Sequence, residues 1–149
     1  MRVYFDTCFY GRPYDDRIQE KTGAEADAVM AVVELCEISG IAVIGSPALT
    51  EEIGEIGDDD TRKKVRGFYD GTVTEFIPLS PDIVLRAMDF MAAPMKKYDS
   101  YHLAFAEAAG VDFLLTTDRK FINRAARTDA AVKVINPINF LPEVERWAQ

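Results

Sequence analysis

The chain has 149 residues, 48% of them hydrophobic and 28% charged. This is ordinary globular usage, which excludes a disordered tail, a collagen-like repeat or a disulfide-stapled miniprotein and leaves room for one domain, residues 1–149. Lys plus Arg number 17 against 25 Asp plus Glu, a net charge of -8, so broad attraction to phosphate backbones or anionic membranes is disfavoured and any nucleic-acid site must be local.

Residues 3–5, Val3-Tyr4-Phe5, form a β-prone run that ends at Asp6, and the Gly, Pro and Asp punctuation of residues 10–16 predicts a loop. Thr22-Gly23-Ala24-Glu25 has capping-box spacing, and Val29, Val32, Val33 and Cys36 recur at helical intervals until Gly40. A short apolar run at 41–44 is too brief for a helix and predicts a second strand; Ser46-Pro47 then starts a helix carrying Glu51 and Glu52. The acids Asp58, Asp59 and Asp60 with Thr61 predict a capped helix through Phe68, followed by a strand over 73–77. Ser80-Pro81-Asp82 opens another helix that stops by Pro94. A helix over 99–109 ends at Gly110, residues 113–115 read as a buried strand running into Thr116-Thr117-Asp118, and a short helix follows. A last strand over 132–135 closes at Asn136-Pro137, and residues 142–147 look helical.

Strands alternating with helices along the whole length predict an α/β fold, because parallel neighbours need crossover connections and helices to cover both sheet faces. The expected architecture is a three-layer α/β/α sandwich around a mainly parallel sheet of about five strands. Cys8 and Cys36 are too few for a disulfide framework or a zinc set and are expected as core thiols in a reducing compartment. Neither a signal-peptide apolar region nor a membrane-length apolar run stands in the sequence, so a soluble, cytoplasmic protein is expected.

In open α/β sheets ligands sit beyond the carboxyl ends of the strands. Asp6 ends the first strand, Asp118 follows the strand at 113–115, Glu52 lies on the helix after the second strand, and Asp99 opens a helix on the same edge. Carboxylates brought together raise one another's pKa, and a divalent cation with oxygen ligands relieves that repulsion. Without a histidine or thiolate set, a hard cation such as Mg²⁺ or Mn²⁺ is implied rather than zinc, and phosphodiester hydrolysis is the matching chemistry.

The order and spacing of four segments resemble the PIN-domain ribonucleases, which include the toxins of VapBC-type toxin–antitoxin pairs. These are Val3-Tyr4-Phe5-Asp6-Thr7; Ser46-Pro47-Ala48-Leu49-Thr50-Glu51-Glu52-Ile53; Asp99-Ser100-Tyr101-His102-Leu103-Ala104-Phe105-Ala106; and Phe113-Leu114-Leu115-Thr116-Thr117-Asp118-Arg119-Lys120-Phe121. The resemblance implies a metal-dependent endoribonuclease, with Asp6, Glu52, Asp99 and Asp118 as catalytic and metal-binding acids and Thr7 and Thr116 orienting carboxylates or water. It also implies RNA as substrate, a homodimer and a possible antitoxin partner. Glu52 is preferred to Glu51 because Ile53 follows it, and a step of one residue turns a helical side chain by about 100°. The loop containing Arg12-Pro13-Tyr14-Asp15-Asp16 has no assigned role.

Each acid also has an ordinary explanation: Asp99 and Asp118 as helix caps, Glu51 and Glu52 as a solvated face, Glu55 at most near the metal rim. His102, the single histidine, is expected as a half-buried structural residue. Lys97 and Arg119, beside Asp99 and Asp118, are expected to contact phosphates together with Lys96 and Lys120, whereas Arg62, Lys63, Lys64 and Arg66 suit a solvated helix face. Two competing functions are a catalytically silent PIN-like module that binds RNA or protein, and an acidic-site phosphohydrolase. Cys8 stands where a haloacid-dehalogenase-type phosphatase would want its second aspartate.

Overall fold

A computed structural model describes residues 1–148. Five parallel strands, β1 (Arg2–Phe5), β2 (Ala42–Gly45), β3 (Glu75–Phe76), β4 (Phe113–Leu115) and β5 (Lys133–Ile135), lie in the order β3-β2-β1-β4-β5. All four pairings are parallel, with Val3 opposite both Val43 and Phe113. Eight helices accompany them: α1 (Thr7–Gly11), α2 (Glu20–Ser39), α3 (Pro47–Gly54), α4 (Asp59–Thr72), α5 (Pro81–Ala92), α6 (Lys97–Ala108), α7 (Arg119–Ala125) and α8 (Pro137–Ala148). The result is the expected three-layer α/β/α arrangement, in which α2 packs against α8 and α5 against α6.

The central strands carry apolar runs because helices cover both faces: Val3, Tyr4, Phe5, Val43, Ile44, Leu114 and Leu115 are all buried. Each such aliphatic or aromatic side chain contributes roughly 1.5–3 kcal/mol by leaving water. Helix starts follow the sequence signals where a side chain can reach a free amide. Ser46 accepts from the Leu49 amide, Ser80 from Ile83 and Asp58 from Thr61, and proline sits in the first turn of α3 and α5. Gly45 is required by close approach, since a Cβ there would meet Tyr69 Oη at 2.7 Å and Val73 Cγ1 at 2.8 Å.

Several local expectations are corrected. Residues 7–11 form α1 and Arg12–Tyr14 a 3-10 turn instead of a loop. Asp6 caps α1, and Phe9 and Tyr10 bury their rings, Phe9 stacking on Phe5 at 3.9 Å between centroids, so packing overrides the Gly-Pro punctuation. Helix α2 begins at Glu20, so Thr22 lies within it and caps nothing. Helix α4 continues to Thr72, which shortens the predicted strand at 73–77 to the exposed edge pair Glu75–Phe76. Helix α8 begins at Pro137, with the Ile138 amide donating to Asn136 Oδ1, and passes through Pro142. Cys36 is a core thiol, but Cys8, in the first turn of α1, is exposed.

Candidate active site

Strand β1 lies between β2 and β4, so chain order reverses there and a crevice opens beyond the carboxyl ends of the strands. Asp6 is the first residue past β1. Its amide continues the ladder to the Leu115 carbonyl at 3.2 Å, its Oδ1 accepts from the Phe9 amide at 3.0 Å, and it is 2% exposed. Next door, beyond β4, the buried Thr116 hydroxyl accepts from the Asp118 amide at 3.0 Å. Asp118 caps α7, its Oδ1 accepting from the Lys120 and Phe121 amides at 2.9 and 3.3 Å. Glu52 enters from α3 and Asp99 from the first turn of α6, where it caps nothing; Lys96 occupies the cap position.

Electrostatics join these four acids. Burial raises the Asp6 carboxyl to about 7, with Asp99 adding to the effect and His102, Thr116 and the Phe9 amide opposing it. Burial likewise raises Asp99 to about 6, with Asp118 and Glu52 adding and His102 and Lys96 opposing. Burial also pushes Glu52 upward, but the hydrogen bond from His102 more than offsets it and leaves Glu52 below its ordinary range. The Cys8 thiol is held far above its usual range by Asp6 first, then by partial burial, Asp118, Glu52 and Asp99. One side chain therefore senses all four carboxylates.

The two neighbouring glutamates differ in their contacts. Glu51 is exposed, whereas Glu52 Oε1 lies 2.7 Å from His102 Nε2; Glu55 is engaged by the Tyr98 hydroxyl at 2.8 Å. His102 is only 1% exposed, and its Nδ1 lies 2.7 Å from the Tyr4 hydroxyl. Sequence reasoning expected a half-buried structural residue and missed this contact. The available signal was a lone imidazole one helical turn after Asp99. The unassigned loop also has a partner: Arg12 Nε lies 3.3 Å from Glu25, which is buried and also takes the Asn136 amide group at 2.6 Å.

An open groove of about 650 Å³ adjoins the crevice, lined by Cys8, Arg12, Lys96, Asp118, Arg119 and Lys120 among others. Lys97 faces a smaller groove of about 160 Å³ with Glu51, Tyr98 and Tyr101, its Nζ 5.8 Å from the Tyr98 ring centre. Among the described residues Lys96, Lys97, Arg119 and Lys120 form no salt bridge, whereas Arg62, Lys63 and Lys64 are tied to Asp59 and Asp60, as a solvated face would be.

No protein-family model and no curated protein matches the sequence. Solved structures do match. The VapBC2 complex of Rickettsia felis, bound to a DNA fragment from its promoter, contains a chain that is 13% identical with a TM-score of 0.64, covering 91% of this chain and 98% of that one. VapC20 of Mycobacterium tuberculosis, a sarcin–ricin-loop-cleaving toxin, is 14% identical with a TM-score of 0.60 over 87% of this chain and 98% of its own. A member of the VapBC family from the same organism, VapBC-5, is 13% identical with a TM-score of 0.53 over 91% and 98%. The fold is that of VapC-type PIN domains.

A PIN fold implies a divalent cation, and the donors fit one in kind: all are carboxylate oxygens, and buried Asp6 and half-buried Asp99 form no salt bridge among the described residues. The Thr7 hydroxyl is buried with no hydrogen-bond partner among the described residues. In spacing the set is open. Among the described residues no three His, Cys, Asp or Glu side chains stand close enough to hold an ion as they lie. Asp6 and Asp118 instead cap α1 and α7 through backbone amides, and Glu52 meets His102.

Proposed function

We propose that this PIN-fold protein is a metal-dependent endoribonuclease, in which Asp6, Glu52, Asp99 and Asp118 hold Mg²⁺ or Mn²⁺. The observation that carries the reading is the set of four electrostatically joined carboxylates at the reversal point of the sheet, two of them raised in pKa by burial. Functional sites, more than structural ones, retain charge in this unrelieved form. A bound cation would acidify water and stabilise charge on a phosphoryl group in flight.

The chain's own residues have separable tasks in this reading. Thr116 holds the start of α7 through the Asp118 amide and would orient a carboxylate or water at the crevice. Thr7, whose buried hydroxyl has no hydrogen-bond partner among the described residues, would orient a carboxylate or water at the crevice. Lys96, Lys97, Arg119 and Lys120, free of ion pairs, would contact phosphates and give RNA a local positive rim on an acidic protein. The test is RNA cleavage with Mn²⁺ by the wild type, Asp6→Asn and Asp99→Asn. Cleavage that survives unchanged in both variants rejects the assignment.

The VapBC neighbours support, as part of the same proposal, a toxin of a type II toxin–antitoxin pair: cytoplasmic, homodimeric and blocked by a cognate antitoxin. No described helix is long and apolar enough to cross a membrane. Leu79, Leu85 and Met88 are more than half exposed on and beside α5, apolar surface that a protein partner would cover. The open spacing of the acids favours one alternative, a silent PIN-like module that binds RNA or protein. Calorimetric titration with Mn²⁺ separates the two, since the silent module takes up no cation.

A further inference from the structure

A line of polar side chains runs through the core to the edge of the acidic crevice. Ser46 Oγ lies 2.7 Å from the Tyr4 hydroxyl, which lies 2.7 Å from His102 Nδ1, and His102 Nε2 lies 2.7 Å from Glu52 Oε1. Ser46 and Tyr4 are 0% exposed and His102 1%, whereas the Glu52 side chain is 29% exposed. The line leaves α3 at its cap, crosses β1 and α6, and returns to the last turn of α3.

Proton counting gives the line a direction. An ionised carboxylate only accepts, so His102 Nε2 carries a hydrogen and donates it to Glu52. In the neutral ring Nδ1 is then an acceptor, which Tyr4 fills with its single hydroxyl hydrogen. Tyr4 must in turn accept, and Ser46 can donate to it because Ser46 Oγ receives the Leu49 amide and keeps its own hydrogen free. Every group is satisfied in this arrangement. In the reverse sense the Ser46 hydrogen would have no acceptor among the hydrogen bonds present.

We propose that His102 is a positioning residue: braced by Tyr4 and Ser46, it fixes the Glu52 carboxylate by one oxygen at the crevice and leaves the other oxygen for the cation bound there. The inference deepens the nuclease reading and rests on it. A glutamate that reaches solvent needs no buried imidazole for solvation, since water serves, but a ligand held in one orientation does need a braced donor behind it.

Because His102 is the only histidine, its ring nitrogens give isolated NMR signals in the intact protein. The expected spectrum is a single Nε2–H tautomer with a protected proton, displaced in Glu52→Gln. Binding of Mn²⁺, followed by electron paramagnetic resonance, is expected to weaken on the order of 10- to 100-fold in His102→Leu. It should weaken less in Tyr4→Phe, which removes only the brace, and recover largely in His102→Gln, whose amide N–H reaches towards the position of Nε2. Melting curves confirm that each variant is folded; if His102→Leu is not, Tyr4→Phe and His102→Gln decide. Wild-type affinity in the folded variants, or a ring that exchanges between tautomers, overturns the role of His102. A wild type that binds no Mn²⁺ overturns the nuclease reading instead, and the tautomer still decides whether His102 holds Glu52.

Discussion

Two groups of acids in this protein are treated in opposite ways. On α5 and α6, Arg86 donates to both oxygens of Glu107 at 2.7 and 3.2 Å and to Asp129 at 2.9 Å, and the Ala131 amide adds a further bond to Glu107 at 3.0 Å. Partial burial pushes Glu107 up, but these donors more than offset it, and its carboxyl lies below the ordinary range. At the crevice Asp6 and Asp99 meet few cations and lie at about 7 and 6. The chain thus matches charge where a carboxylate ties elements together and leaves it unmatched at the sheet's reversal point, where a ligand can supply the compensation.

The widest separation between the two groups is expected in catalysis. Asp6→Asn and Asp99→Asn should each lower Mn²⁺-dependent RNA cleavage on the order of 100-fold or more, since loss of even an outer partner of a metal site commonly costs 10- to 100-fold. Glu107→Gln should cleave at the wild-type rate in the same single-turnover measurement. Equal losses in all three variants would dissolve the distinction.

Stability should move in the opposite sense. A carboxyl whose folded pKa is raised from 3.8 to about 7 binds its proton more tightly in the native state. Without metal, stability therefore falls as pH rises from about 4 to about 7 and is then level. Asp99 contributes a similar decline that ends near 6. At pH 8 with chelator, Asp6→Asn removes a penalty of a few kcal/mol, and its amide oxygen can still cap α1, so the melting temperature should rise by roughly 5–10 °C. Glu107→Gln should lower it. A metal-free Asp6→Asn that melts below the wild type at pH 8 contradicts the unrelieved-charge account.

The cation supplies the third contrast. A ligand bound only by the native state stabilises by about 2.7 kcal/mol at a free concentration near 100 times its Kd. Excess Mn²⁺ at pH 8 should raise the melting temperature of the wild type and of Glu107→Gln alike, and leave the Asp6→Asn, Asp99→Asn double variant unmoved. An equal rise in all three places the ion somewhere other than the crevice.

The sequence made the charged half of this comparison legible and left much of the rest hidden. Asp6 and Asp118 stand directly past apolar runs, and Ser46-Pro47 and Ser80-Pro81 mark helix starts through local hydrogen bonds, so short-range signals sufficed for them. The partnership of Tyr4 with His102 spans 98 residues and that of His102 with Glu52 spans 50, separations that no local pattern encodes. Residues 10–14 depart from the expected loop for the same reason. Burial of Phe9 and Tyr10 against distant rings, Phe68 and Tyr69 among them, decides that segment, and Arg12 finds its buried partner Glu25 only once α2 has docked. The open spacing of the acids among the described residues was also illegible, because sequence places carboxylates on an edge without saying which backbone amides or imidazole will claim them.

The smallest effect concerns two lysines of equal charge. Lys64 pairs with Asp60 at 3.0 Å on the exposed face of α4, while Lys120 lines the groove beside Asp118 with no salt bridge among the described residues. A lysine that neutralises a phosphate releases a condensed counterion, so each such contact adds about 0.7 to the slope of log affinity against log salt for a single strand. In EDTA, where cleavage is blocked, titrating a short single-stranded RNA across several salt concentrations should give Lys120→Ala a slope shallower by about that amount. Lys64→Ala should keep the wild-type slope, since its ammonium already has a carboxylate partner and stands away from the crevice. If the two variants lose slope equally, the net charge of the protein governs RNA contact and the groove has no special part in it. If only Lys120 matters, the positive rim is local, as a protein with a net charge of -8 requires.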